Sequence, residues 1–289
     1  MQLSTADGVF PADWFGLKKS FLKQAQCFDS EVKALSFRGR SAVRWVNDWV
    51  KQKTGGKIKR LFNKLDPRTA LVLVNALYLK ALWKNPFTSS AFVKKGDFYN
   101  LDKKITTVEF MVKKMRVPYY ETSNFRAMRL SYKGGASMLV VLPNHYFALP
   151  AVEKSLGQLR KINSRMTDTL LDVIIPKFML KQRFPLKSAL MRMGLRRIFS
   201  KRAEFGGIAK NHLNRFFVTQ AVHEAYVKVH ENGTEAAAAT GISGQLSSSQ
   251  NRAQVFAVDH SFLFIISMPE DEQKKNGDLD LFVGRVTKL

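Results

Sequence analysis

Three features of the 289-residue chain predict an α+β fold with mostly antiparallel sheets. Strand-like and helix-like runs are mixed without strict alternation, whereas a doubly wound parallel sheet repeats strand and helix units and opens on a glycine-rich turn. The run Ala70 to Trp83 (ALVLVNALYLKALW), bounded by Asp66-Pro67 and Asn85-Pro86, is dense in Leu and Val and reads as a strand buried on both faces. Two-sided burial requires a large sheet. Hydrophobic residues make up 45% of the chain, enough to fill a sizeable core, and the length predicts one or two domains at about 150 residues each.

The elements follow in order. Leu3, Val9 and Phe10 alternate weakly, and Gly16 to Phe28 is then a basic amphipathic helix with Leu17, Phe21, Leu22 and Ala25 at helical spacing. A second helix opens at Ser41, read as its N-cap, and runs through Val43, Val46, Trp49 and Val50 until Thr54-Gly55-Gly56 ends it. After the long strand, further strands are predicted at Phe125 to Leu130, Ala136 to Leu142, Leu170 to Ile175, Phe216 to Val218, Ala225 to Val229 and Phe262 to Ile266. Helices are predicted at Pro150 to Leu159 and at Pro185 to Met193, the latter stopped by Gly194.

Composition adds one strong signal. There are 47 Lys and Arg against 23 Asp and Glu, a formal charge of +24 that attracts nucleic acid, acidic lipid surfaces or sulfated polysaccharide without choosing among them. No zinc-finger spacing, aromatic RNA-binding signature or helix-turn-helix is present, so no sequence-specific nucleic-acid partner is predicted. The longest apolar stretch, Ala70 to Trp83, is interrupted by Asn75 and Lys80 and falls short of the roughly 18 apolar residues of a membrane span. The lone Cys27 excludes an internal disulfide and a thiolate-built zinc site. The first residues carry no basic segment followed by an apolar run, so no signal peptide is expected in this chain.

Enzyme chemistry is not predicted. His223-Glu224 lacks the second histidine four residues after the first, since position 227 is Val, and no GxSxG elbow, P-loop or GxGxxG occurs. No catalytic residue, metal site or cofactor is expected.

One segment departs from globular composition. From Gly233 to Arg252 (GTEAAAATGISGQLSSSQNR) the residues are small and polar, with only Ile242 and Leu246 as larger apolar side chains. Alone, TEAAAAT would form a short helix, with Thr234 as cap. Its flanks, AYVKVHENG and VFAVDHSFLFII, are strand-like, which makes the segment an exposed connection between two sheet elements. A run of small side chains is also what a strand needs if it must slide between two strands already packed together.

At full length the chain resembles the serpins. The hinge HENGTEAAAATG (His230 to Gly241) and the segments NDWVKQKTGGKIKRLF, LVLVNALYLKALWKNPF, IIPKF, MGLRRIF, TQAVHEA, DHSFLFII and FVGRV look like that family's hallmarks in the family's order. The resemblance implies a single domain over residues 1–289 that lacks the usual N-terminal helices, with a large central sheet, smaller sheets, surrounding helices and a reactive loop at about 233–252. It implies a serine-protease inhibitor acting as a suicide substrate. Glu231, Gly233, Thr234 and Ala236, Ala237, Ala238 and Ala239 match the hinge that starts loop insertion. Hinge spacing puts the scissile bond at Ser247-Ser248, while counting back from Phe262 lands nearer Gln250. Leu246 as bait suits a chymotrypsin-like protease, Ser247 an elastase-like one and Arg252 a trypsin-like one, with Ser247 or Leu246 favoured. Asn75 and His223 match a polar pair under the middle of the large sheet, Trp83 matches a tryptophan where insertion begins, and Lys177 is expected to face Glu231.

The family also implies secretion, although the lack of a leader allows an intracellular protein, and heparin or another polyanion as modulator. Departures are Ser261 in place of proline, Glu204 in place of aspartate, and Lys228 where an acidic residue is common. Asn232-Gly233-Thr234 is a glycosylation sequon within the hinge. A non-inhibitory binding or storage protein would carry bulky or charged hinge residues, against which Ala236 to Ala239 argue. The third reading is an inactive truncated product.

Overall fold

A computed structural model describes residues 1–87, 93–155, 157, 160–209, 216–234, 253–269 and 278–289. The chain forms two compact units, one of Met1, Lys80–Met179 and Lys228–Leu289, the other of Gln2–Leu79 and Leu180–Val227.

The second unit opens with strand β1 (Gln2–Pro11), helix α1 (Lys19–Gln26), a short strand β2 (Glu31–Val32) that pairs parallel with β1, and helix α2 (Ser41–Lys53). Helix α1 starts later than its apolar spacing predicts. Leu17 forms a bridge with Ala209, and the Lys18 amide donates to the Ile208 carbonyl, which holds those residues extended. In α2 the buried residues Ala42, Val43, Val46, Trp49 and Val50 form one stripe at helical spacing. Arg40, not Ser41, occupies the cap position, and no side chain caps the helix. Ser41 is instead the first helical residue. At the other end the Thr54 hydroxyl donates to the Val50 carbonyl at 2.7 Å and accepts from the Ile58 amide at 3.1 Å, turning the chain back.

That return is clamped by Asn47. Its amide donates to the Phe62 carbonyl at 2.8 Å, and its oxygen accepts from the Leu61 and Phe62 amides at 2.8 and 2.9 Å. Ile58, Leu61 and Phe62 are thereby buried with Phe10, Val46, Trp49 and Val50, where Phe10 meets the Trp49 ring edge-on at 5.1 Å.

Strand β3 (Leu71–Leu82) is buried or half-buried on both faces as far as Leu79, as its composition predicts. Strand β9 (Phe178–Pro185) leads into helix α4 (Leu186–Arg192), numbered after the short α3 (Leu149–Glu153) of the other unit. Gly194 follows α4 at φ +102°, the left-handed turn that stops it. Strand β10 (Val218–His230) is one 13-residue element where the sequence reads as two strands. The polar residues that interrupt its apolar pattern have partners: His223 bonds Asn75, and Glu224 lies 3.4 Å from the Lys181 ammonium. Within this unit β3 and β10 are parallel neighbours, Leu71 to Tyr78 against Val218 to Tyr226.

The first unit is built on a sheet of order β12-β8-β5-β6-β7-β13-β14 with β4 on β5, the strands being β4 (Val93–Tyr99), β5 (Ile105–Glu121), β6 (Phe125–Ser131), β7 (Ser137–Pro143), β8 (Thr167–Pro176), β12 (Gln254–Ala257), β13 (Phe262–Met268) and β14 (Leu279–Val286). Its pairs are antiparallel except β12 with β8. All of β7 is buried, as is β13 except Met268, and Leu139, Val141, Leu263 and Ile265 pack against Leu149 and Val152 of α3. Strand β5, with 17 residues, is the longest, although Lys113, Lys114 and Arg116 disguise it as a basic surface run in the sequence.

Asn47→Ala removes three hydrogen bonds at the α2 clamp. At about 1 kcal/mol each, it is expected to lower unfolding free energy by about 2–3 kcal/mol in urea denaturation. A midpoint equal to that of the parent chain would refute the clamp.

Candidate functional site

The site forms where β10 ends. After His230 the chain turns through Glu231 and Asn232, and Gly233–Thr234 runs back as strand β11. This strand pairs antiparallel with β10 on one side, Val229 with Thr234 and His230 with Gly233. On the other side it pairs antiparallel with β3, Gly233 with Leu82 and Thr234 with Ala81. Gly233 and Thr234 therefore occupy the position of a strand between β3 and β10.

Only glycine fits at position 233. Its φ is +144°, and a Cβ there would overlap the Ala81 carbonyl oxygen and sit 2.7 Å from the Leu82 Cα. Thr234 is fully buried, and its hydroxyl shares a 2.6 Å hydrogen bond with the Tyr132 phenol. Burial pushes the Tyr132 phenol up, more than the Thr234 bond lowers it, so the ring stays neutral.

Trp83 organises the surroundings. Its indole, 1% exposed, stacks on Tyr132 at 4.3 Å and donates from Nε1 to the His230 carbonyl at 3.0 Å. Its backbone amide donates to the Asn232 carbonyl at 2.9 Å, and the Phe87 amide donates to the Glu231 carbonyl at 2.8 Å. The end of β3 is clasped in turn, with Lys84 donating to Ser131 and Lys133 donating to Leu82.

Lys177 and Glu231 form an ion pair, and the same ammonium donates to Glu109 Oε2 at 2.8 Å. Burial disfavours the charge on Lys177, but its bonds to Glu109 and Glu231 outweigh that and raise its pKa. Burial likewise disfavours the Glu231 carboxylate, and the Lys177 contact still holds it below the usual range. His230, beside Glu231, is held down mainly by burial.

In the other unit Asn75 and His223 face each other in register on β3 and β10. His223 Nδ1 and Asn75 Oδ1 are hydrogen-bonded, and the Asn75 amide donates to the Asp7 carboxylate on β1. Three strands are thus linked by one polar chain. The Phe184 ring stacks over the imidazole at 6.0 Å.

Ala236, Ala237, Ala238, Ala239, Leu246, Ser247 and Ser248 lie outside the described residues, as does Arg252. Tyr132, Glu109 and Asp7 are participants that the sequence reading does not single out. An aromatic residue beside the Gly134-Gly135 turn and a carboxylate in an apolar alternation were the available signals for Tyr132 and Asp7, while Glu109 sits on the unpredicted β5. Among the described residues no cluster of His, Cys, Asp or Glu could hold a metal, and no helix is long and apolar enough to cross a membrane.

Two outcomes follow from this geometry. Gly233→Ala should expel β11, so that deuterium uptake at 232–234 rises at least about tenfold, the loss of roughly 1.4 kcal/mol of local stability; unchanged protection would show that the slot tolerates a Cβ. Burial lowers the His223 pKa despite the opposing pull of Asp7. A lowered folded-state pKa contributes stability above the free imidazole value of about 6.5, and that stability is lost as pH falls below it. The melting temperature should therefore drop between pH 7.5 and 5.5, and by less in His223→Gln; identical pH profiles would remove His223 from the account.

A family model described as Serpin (serine protease inhibitor) matches residues 1–289. Iripin-3 of Ixodes ricinus is 33% identical over 270 residues, 91% of this chain and 66% of that protein, and Serpin A3-1 of Bos taurus is 32% identical over 99% of this chain and 68% of that protein. The chain spans about two thirds of the length of these curated relatives. The crystal structure of native protease nexin-1 with heparin superposes with a TM-score of 0.84 at 28% identity, covering 99% of this chain and 77% of that one. With the strand pairing and the hinge segment described above, these matches place the chain in the serpin family, the serine protease inhibitors.

Proposed function

We propose that this chain inhibits a serine protease as a suicide substrate, by cleavage and insertion of the loop that follows Thr234. What carries the reading is β11, a two-residue strand wedged between parallel neighbours, with small residues Ala236 to Ala239 next in sequence. The protease serine oxygen attacks the bait carbonyl, the peptide C–N bond breaks, the amine leaves with a proton, and an ester joins the two proteins. The nucleophile belongs to the protease. The freed loop continues the course of β11 and separates β3 from β10.

The energetics favour that direction. Insertion breaks one ladder, Leu71 to Tyr78 against Val218 to Tyr226, and an inserted strand replaces it with two. Each net hydrogen bond gained is worth about 1 kcal/mol, so the resting state holds back a substantial stabilisation until the loop is cut. Small side chains matter because a bulky residue would have to pass between two packed strands.

Leu246 or Ser247 as bait makes a chymotrypsin-like or elastase-like protease the target. A sulfated polyanion such as heparin modulates the encounter in this reading, supported by the +24 charge and by the likeness to protease nexin-1, whose structure contains heparin.

Mixing the chain with elastase, chymotrypsin and trypsin tests the proposal. Elastase or chymotrypsin should give a covalent complex that survives denaturation, and Thr234→Arg should abolish the complex while leaving loop cleavage, because the charge cannot enter the buried Thr234 position. Cleavage without complex in the parent chain would sink the inhibitor reading. Heparin retention that is lost at modest salt tests the polyanion.

A further inference from the structure

A cavity of about 160 Å³ opens beside the segment that carries the hinge. Buried Trp83, Phe87 and Leu130 give it an apolar floor, Asn85 and Ser131 add neutral polar groups, and exposed Lys84 and Arg116 give it a cationic rim, with Arg129 also in the lining. No carboxylate lines it. Arg129 is held by the Ser137 hydroxyl and Asp278, so its guanidinium is fixed. Arg116 is bound only loosely, 3.8 Å from Asp168 with both side chains exposed, and Lys84 has no ion-pair partner among the described residues. The pocket therefore combines apolar side chains with two exposed cations, Lys84 and Arg116, while the charge of Arg129 is met by Asp278.

We propose that this pocket binds a small organic carboxylate and that binding holds the hinge in its resting position. The size sets the ligand class: a cavity of about 150 Å³ accommodates one benzene ring, so the body is a single six-membered ring or an aliphatic group of equal bulk. The rim sets the head group, since Arg116 can present two parallel N–H groups to a carboxylate and Lys84 adds a mobile ammonium. Apolar floor and convergent charge together orient such a ligand, ring inward and carboxylate outward.

The coupling comes from the wall that pocket and hinge share. Trp83, Lys84, Asn85 and Phe87 line the cavity, and the same segment supports residues 230–232 through the Trp83 bonds to Asn232 and His230 and the Phe87 bond to Glu231. Lys113 Nζ also donates to the Pro86 carbonyl at 2.8 Å, fixing the middle of the segment. A ligand that fits the pocket with Trp83 in this position binds that state in preference to one in which the hinge has moved, and this differential affinity is what shifts an equilibrium.

Benzoate is the probe, with benzyl alcohol as the neutral body and sulfate as the charge without a body. Equilibrium dialysis of the full chain should show benzoate bound at least about tenfold more tightly than either, the loss expected when one charge-assisted contact or the apolar body is removed. Arg116→Gln and Lys84→Gln, both at exposed side chains, should each weaken benzoate about tenfold by the same reasoning. Saturating benzoate should slow deuterium uptake across 231–234 at least about threefold in the parent chain and leave it unchanged in Arg116→Gln. Benzoate binding no better than benzyl alcohol, or binding insensitive to both substitutions, overturns the site. Tight binding with unaltered uptake at 231–234 overturns the coupling to the hinge.

Discussion

The structure depends on two strand pairings, that of β3 with β10 in one unit and that of β11 with the ends of both strands in the other. Strands β3 and β10 run parallel and pair directly from Leu71 and Val218 to Tyr78 and Tyr226. At their far ends Gly233 and Thr234 lie between them, antiparallel to both. In the proposed mechanism the residues after Thr234 extend β11 between these two strands. Every buried polar feature near the hinge bears on whether that arrangement stays as it is.

Restraint is distributed over three kinds of contact. Trp83 acts from the β3 side, with its ring on Tyr132 and its two N–H groups on the carbonyls of His230 and Asn232. Lys177 holds Glu231, and Glu109 holds Lys177. In the other unit, Asp7, Asn75 and His223 tie β1, β3 and β10 together through side chains rather than backbone. Such polar links are directional and break cleanly when the geometry changes, whereas apolar packing between the same strands would tolerate sliding. In the proposed mechanism the sheet stays shut until the loop is cut, and directional links suit that role better than apolar packing.

Much of this is legible in the sequence, and the reasons differ by element. Strand β3 declares itself because two-sided burial leaves a run of Leu and Val with no polar face. Helix α2 declares itself through its stripe and its Thr54-Gly55-Gly56 stop. Strand β10 is split in the reading because Gln220, His223 and Glu224 look like surface residues until Asn75 and Lys181 are placed opposite two of them. Strand β5 is hidden by its lysines and arginine, since local charge says surface while pairing with β8 across ten residues says sheet. Ser41 misleads for a smaller reason: capping depends on the dihedral angles of one residue, and Arg40 occupies that position without contributing a side-chain bond.

By itself the sequence determined the α+β class, the long buried strand, the positive charge and the run of small residues after Gly233, because each is a property of composition or of spacing along the chain. It also supplied, through resemblance, the residues of the hinge and of the polar pair. Tertiary structure alone decided that Gly233 and Thr234 are seated between β3 and β10, that Tyr132 and Thr234 share a hydrogen bond, and that a cationic cavity shares a wall with the segment 231–234. The Tyr132 and Thr234 hydroxyls that meet are 102 positions apart in the chain. No local pattern records such distances, since only the folding of β3, β10 and the 131–133 segment onto one another brings the partners within hydrogen-bond reach.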